Sequence, residues 1–115
     1  MAEKPAAKNK IAELLAKAAQ SLDDVSEGIA CAGTSLEART FIVRKKAFLF
    51  LGAKEAKVKL DGSLGEAAEL AKTPKSAVRV GGHGWTTIRL DEGKAPPAAV
   101  LRRWVAESYE LFAGG

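Results

Sequence analysis

The chain holds one cysteine, Cys31, and one histidine, His83, in 115 residues. A single thiol excludes an internal disulfide, and no thiolate zinc cluster can be assembled from this chain alone. A transition-metal site would have to be rich in carboxylates, and Asp23, Asp24 and Glu27 form the only local acidic cluster. That cluster falls at an expected helix end and loop, where acids commonly cap or solvate. No run of about 20 apolar residues is present to span a bilayer, and residues 1–10 are polar and basic where a secretory signal needs an apolar core. The expectation is a cytoplasmic protein without membrane contact, with residues 1–8 a flexible terminus and 9–113 a single domain.

What is present suits a folded chain. Hydrophobic residues make up 47% and charged residues 28%, with both signs represented, and the length supports one core. The net charge of +4 is unevenly spread. Residues 1–38 carry four Lys against six acids, residues 39–89 eleven Lys/Arg against four acids, and residues 90–115 three against four. The positive excess therefore belongs to the middle of the chain.

Apolar residues at spacings of three and four draw one stripe over residues 9–22, through Ile11, Leu14, Leu15, Ala18, Ala19 and Leu22, and predict a helix. A short extended piece is expected at 29–31 and a turn at 33–37. Strands are expected at 39–44, 47–51 and 56–60, joined by hairpins. Ser63 three residues before Glu66 predicts a capping box for a helix at 64–72, which Pro74 ends. Strands at 77–80 and 85–90 flank Gly81-Gly82-His83-Gly84, where a glycine turn is expected. Pro96-Pro97 then open a last helix, whose Val100, Leu101, Trp104, Val105, Leu111 and Phe112 make one broad face.

This order predicts an α+β fold: an antiparallel sheet of five or six strands, with the N- and C-terminal helices packed on one face. Alternation assigns the other face. Val58, Leu60, Val78 and Val80 point inward and Lys57, Lys59 and Arg79 outward; with Ile88 and Leu90 inward, Trp85, Thr87 and Arg89 share the outer face.

Several segments resemble, in order, the landmarks of the MmcQ/YjbR family. They are Cys31-Ala32-Gly33-Thr34, the run from Thr40 to Phe48, Lys59-Leu60, Glu66-Ala67-Ala68, Gly84-Trp85, Arg89-Leu90 and Glu107-Ser108-Tyr109. The resemblance spans roughly Gly28 to Phe112. It implies a YjbR-like sheet backed by two terminal helices, similar in shape to frataxin-type domains (the CyaY-like fold). Members are usually labelled DNA-binding through a likeness to a double-wing topology, which is an analogy of fold.

The candidate nucleic-acid-binding residues are Arg44, Lys45, Lys46, Lys57, Lys59, Arg79, Trp85 and Arg89. The cations could neutralise phosphates, hairpin tips could act as wings, and Trp85 could stack on a base. The same cations could equally solvate an exposed sheet and guard its edges. A nonenzymatic DNA-binding module is the leading expectation. A protein-interaction or adaptor domain using the same face or an edge is the alternative, which an apolar patch around Ile42 and Trp85 would favour.

Other constellations are weaker. The Gly81–Gly84 stretch lacks the ending of a P-loop and the spacing of a dinucleotide fingerprint. Nothing in the sequence brings Cys31 and His83 together as nucleophile and base, so neither catalysis nor a cofactor is implied. Trp104, Tyr109, Leu111 and Phe112 read as packing, and Arg102 and Arg103 as surface.

Overall fold

The computed structural model describes residues 6–30, 33–34, 37–52, 54–90 and 93–114, with the side chains of 6–10 left aside. Cys31 lies outside the described residues. The elements are α1 (Ala6–Gln20), β1 (Ser26–Ala30), β2 (Ala38–Val43), β3 (Lys46–Gly52), β4 (Glu55–Lys59), α2 (Leu64–Ala71), β5 (Val78–Val80), a 3-10 turn (Gly82–Gly84), β6 (Trp85–Arg89) and α3 (Ala98–Ala113). Helix α1 starts at Ala6, inside the stretch that composition assigned to a flexible terminus.

The six strands form one antiparallel sheet in the order β1-β2-β3-β4-β6-β5. Period-two burial identifies its helix-covered face: Leu49, Leu51, Ala56, Val58, Thr86, Ile88 and Val78 are buried. Helices α1 and α3 pack on each other, α3 lies over β3 and β4, and α2 lies against β5. Their inner residues, including Leu15, Ala19, Ala67, Leu101, Trp104 and Val105, join the strand residues in one core. The expected α+β sheet with terminal helices on one face is what forms. No helix among the described residues is long and apolar enough to cross a membrane.

A bulge breaks the alternation in β3. Phe41 faces Leu49 but Ile42 faces Ala47, which leaves Phe48 as the extra residue. Two successive residues, Phe48 and Leu49, are thereby both fully buried. On its other side Phe48 does not close onto Lys59. The Ser108 hydroxyl stands between them, accepting from Lys59 N at 3.0 Å and donating to the Phe48 carbonyl at 2.6 Å.

Ser108 is flanked by two further joints. Glu107 accepts from Asp61 N at 2.6 Å, Ser63 N at 3.0 Å and Ser63 Oγ at 2.6 Å. Tyr109 packs edge-on against Phe48 and donates its hydroxyl to the Asp23 carbonyl at 2.8 Å. One turn of α3 thus ties the β4–α2 loop, the β3–β4 pair and the α1–β1 loop to one helix.

The expected capping box does not form. Ser63 makes no side-chain cap, because its hydroxyl is taken by Glu107. Glu66 instead accepts the indole N–H of the buried Trp104 at 3.0 Å and pairs with Arg103. The local motif yields to partners far along the chain.

Candidate nucleic-acid interface

The second face of the sheet is covered differently. The registers place Gly28, Thr40, Phe50, Lys57, Thr87 and Arg79 in one cross-strand row. On one side of that row stand Glu55 and Arg89, and on the other Lys59 and Trp85. The face is therefore split: small and apolar residues line β1, β2 and β3, while the cations gather on β4, β6 and β5. Lys57 and Arg79 are exposed, and Lys59 and Arg89 are half-buried. With strands about 4.8 Å apart, Lys57 and Arg79 stand roughly 10 Å from each other across Thr87. Neither makes an ion pair among the described residues.

Lys59 and Trp85 are more committed. Trp85 meets Phe50 edge-on at 5.6 Å and Phe112 at 6.2 Å between ring centroids. The Lys59 ammonium lies 5.6 Å from the centre of the Phe112 ring, a cation–π contact. Trp85 is half-buried by these neighbours, so it anchors the end of α3 to the sheet where a free stacking platform was expected.

Arg44, Lys45 and Lys46 are not part of this row. Arg44 and Lys45 form the β2–β3 turn, at the same end of the sheet as Lys59, Trp85 and the 3-10 turn. Both adopt left-handed backbone, φ 51 and 69, the twisted two-residue hairpin geometry that usually recruits Asn-Gly. All three cations are exposed. Desolvation pushes the Tyr109 phenol above its ordinary value, the charges of Asp23, Asp24 and Glu110 push it further, and Arg44 pulls it back. Arg44 therefore faces a partly acidic neighbourhood.

Of the acidic cluster, Glu27 is engaged. Glu27 accepts from Gln20 at 2.9 Å and pairs with Arg39 at 3.0 Å. Those two hydrogen bonds, Gln20 first, hold its carboxyl below the ordinary value. Among the described residues no group of three or more His, Cys, Asp or Glu could hold a metal ion. His83 is exposed, with φ 57 in the 3-10 turn. The glycine beside it has a packing reason: a Cβ on Gly84, whose φ is +85, would lie 2.5 Å from the Leu60 carbonyl oxygen. Lys75 and Lys94, which sequence reasoning passed over, flank Arg89. No spacing signal links them; a non-local backbone bridge brings them together.

The residues that carry the family resemblance are mostly joints of this fold: Glu66 on Trp104, Gly84 against Leu60, and the three consecutive contacts of Glu107, Ser108 and Tyr109. The comparison with curated proteins and that with solved structures returned no match. The comparison with protein families matches YjbR over residues 20–111, from the end of α1 through most of α3. The chain belongs to the YjbR family.

Proposed function

We propose that the protein is a nonenzymatic nucleic-acid-binding module that lays the basic half of its open sheet face on a phosphate backbone. The observation that carries the reading is the row Lys57–Thr87–Arg79, with Lys59 and Arg89 beside it. Two exposed cations without ion-pair partners among the described residues stand on a rigid sheet, so they approach phosphates already oriented. Arg44, Lys45 and Lys46 at the β2–β3 tip supply a second positive point at one end of the sheet. Among the described residues the face has no helix carrying base-reading side chains and no free aromatic platform, which favours backbone contact over sequence readout.

Fluorescence anisotropy of labelled single-stranded and duplex DNA, titrated across a salt series, tests the reading. Binding should weaken with salt, and Lys57→Ala with Arg79→Ala should reduce the log–log salt slope by about 2. Absence of binding at low salt would sink it.

A second reading rests on Ile29, which is 61% exposed on the edge strand β1. An exposed edge beside an apolar half-face suits strand addition by a protein partner. Retained partner binding after Lys57 and Arg79 are removed would favour it.

A further inference from the structure

Three backbone segments meet beyond the start of β5. Ala77 N donates to the Lys94 carbonyl at 2.9 Å, Lys94 N to the Lys75 carbonyl at 2.7 Å, and Arg89 N to the Ala77 carbonyl at 2.7 Å. Ser76 and Lys94 form a parallel bridge. The approach is close enough that a Cβ on Gly93, whose φ is +86, would lie 3.0 Å from Ala77 N, Ala77 Cα and the Lys75 carbonyl oxygen. Lys75 is held at φ 58, a left-handed backbone disfavoured for any residue with a side chain. Such conformations persist where the surroundings over-determine them, and they concentrate at binding sites.

These bonds fix the backbones of three cation-bearing residues around one cleft of about 530 Å³, lined by Lys75, Ser76, Arg89, Gly93 and Lys94. Among the described residues that line it there is no carboxylate. Ser76 Oγ accepts from Val78 N at 3.0 Å, so its own proton is available to donate into the cleft. Lys75 and Lys94 make no ion pair among the described residues. Arg89 faces Glu55 across the sheet, so among the described residues it is the two lysines that carry charge without an ion-pair partner. Two ammonium groups and a hydroxyl donor match a tetrahedral dianion.

We propose that this cleft binds the phosphate group of a phosphomonoester, with Lys75 and Lys94 neutralising it and Ser76 donating to one oxygen. The cleft shares Arg89 with the basic half of the face, but neither Lys57 nor Arg79 lines it, so variants at those two positions separate the two readings. The monoester comes either from a small phosphorylated molecule or from the phosphorylated end of a nucleic-acid strand, whose chemistry is shared.

The test is an amide NMR titration with inorganic phosphate at constant ionic strength. Three proteins are compared: the wild type, Lys75→Ala/Lys94→Ala, and Lys57→Ala/Arg79→Ala. Saturable shifts at the amides of Ser76, Ala77 and Lys94 are expected in the wild type. Affinity should drop about tenfold or more in Lys75→Ala/Lys94→Ala, on the scale of two lost charge-assisted contacts, and stay unchanged in the face variant. Oligonucleotides with a 5′-phosphate or a 5′-hydroxyl then separate the sources. Tighter binding of the phosphorylated strand assigns the strand end; equal binding with the phosphate shifts retained assigns a small molecule. Non-saturable shifts in the wild type, shifts that chloride reproduces, or shifts undiminished in Lys75→Ala/Lys94→Ala would overturn the proposal.

Discussion

Ser108 of α3 occupies the place where Lys59 of β4 would otherwise bond its neighbour strand: its hydroxyl accepts the Lys59 N–H at 3.0 Å and passes a hydrogen bond on to the Phe48 carbonyl at 2.6 Å. The bulge at Phe48 and the helix hydroxyl are two halves of one device. The bulge removes Phe48 from the ladder, and the serine satisfies the backbone groups left behind.

Ser108→Ala leaves both of those groups without a partner in a site where Ser108 is fully buried. The expected cost is about 2 kcal/mol, or a fall in melting temperature of about 8 °C for a chain of this size. A thermal melt by circular dichroism measures it. A melting point within about 2 °C of wild type would mean that β3 and β4 close directly onto each other without the hydroxyl.

Glu107 links acid sensitivity to the same turn of α3. Desolvation raises its carboxyl, but the hydrogen bonds from Ser63 Oγ, Asp61 N and Ser63 N outweigh that effect, aided by the charge of Arg103. Its value in the folded chain therefore lies below the ordinary 4.5. A depressed carboxyl contributes stability that is complete above the unfolded value and is lost as pH falls through the folded one. Glu107→Gln should be less stable than wild type near neutral pH, and the gap should close as pH drops below 4.5. Parallel denaturant titrations across pH read the difference; a gap that stays constant to low pH contradicts the assignment.

The Ser63 partnership can be separated from the capping box that it resembles. A double-mutant cycle between Ser63→Ala and Glu107→Gln should show coupling of about 1 kcal/mol, whereas the cycle between Ser63→Ala and Glu66→Gln should be additive within about 0.5 kcal/mol. The reverse pattern would restore the capping box.

Period-two patterning made the sheet readable. Lys57, Lys59 and Arg79 stand outward and Val58 and Val78 are buried as alternation requires, and the helical stripes of α1 and α3 announced their buried sides. Features set by long-range partners were hidden. Ser63 and Glu66 carry a sound local motif, yet Glu107 and Trp104, 44 and 38 positions further along, claim their side chains. The bulge that buries Phe48 beside Leu49 has no compositional mark. Of the candidate site, the β4 and β5 cations were legible from strand parity alone. That Trp85 is wedged by Phe112 was not, because it depends on where α3 ends. The pairing of Lys75 with Lys94 depends on the bridge between Ser76 and Lys94, 18 positions apart.

Trp85 provides a direct contrast between packing and stacking. Trp85→Leu removes the ring that joins Phe50 to Phe112, so its melting temperature should fall by several degrees, from a loss of about 1 kcal/mol of aromatic contact. The ratio of single-stranded to duplex DNA affinity should not change. A selective loss of single-strand binding, on the order of tenfold, would show that a base stacks there.

The β2–β3 turn sets stability against binding. Arg44 and Lys45 both sit in left-handed backbone without a glycine or asparagine to ease it, at a cost of about 1 kcal/mol or more each. Arg44→Asn with Lys45→Gly supplies the residues this turn geometry prefers. The variant should melt about 4–10 °C higher. It should also bind DNA more weakly, with a shallower salt dependence, since two of the cations at the tip are gone. The two measurements check each other, because greater stability excludes misfolding as the cause of weaker binding. A stabilised variant with unchanged affinity and salt slope would remove the tip from the interface and confine phosphate contact to the Lys57–Arg79 row.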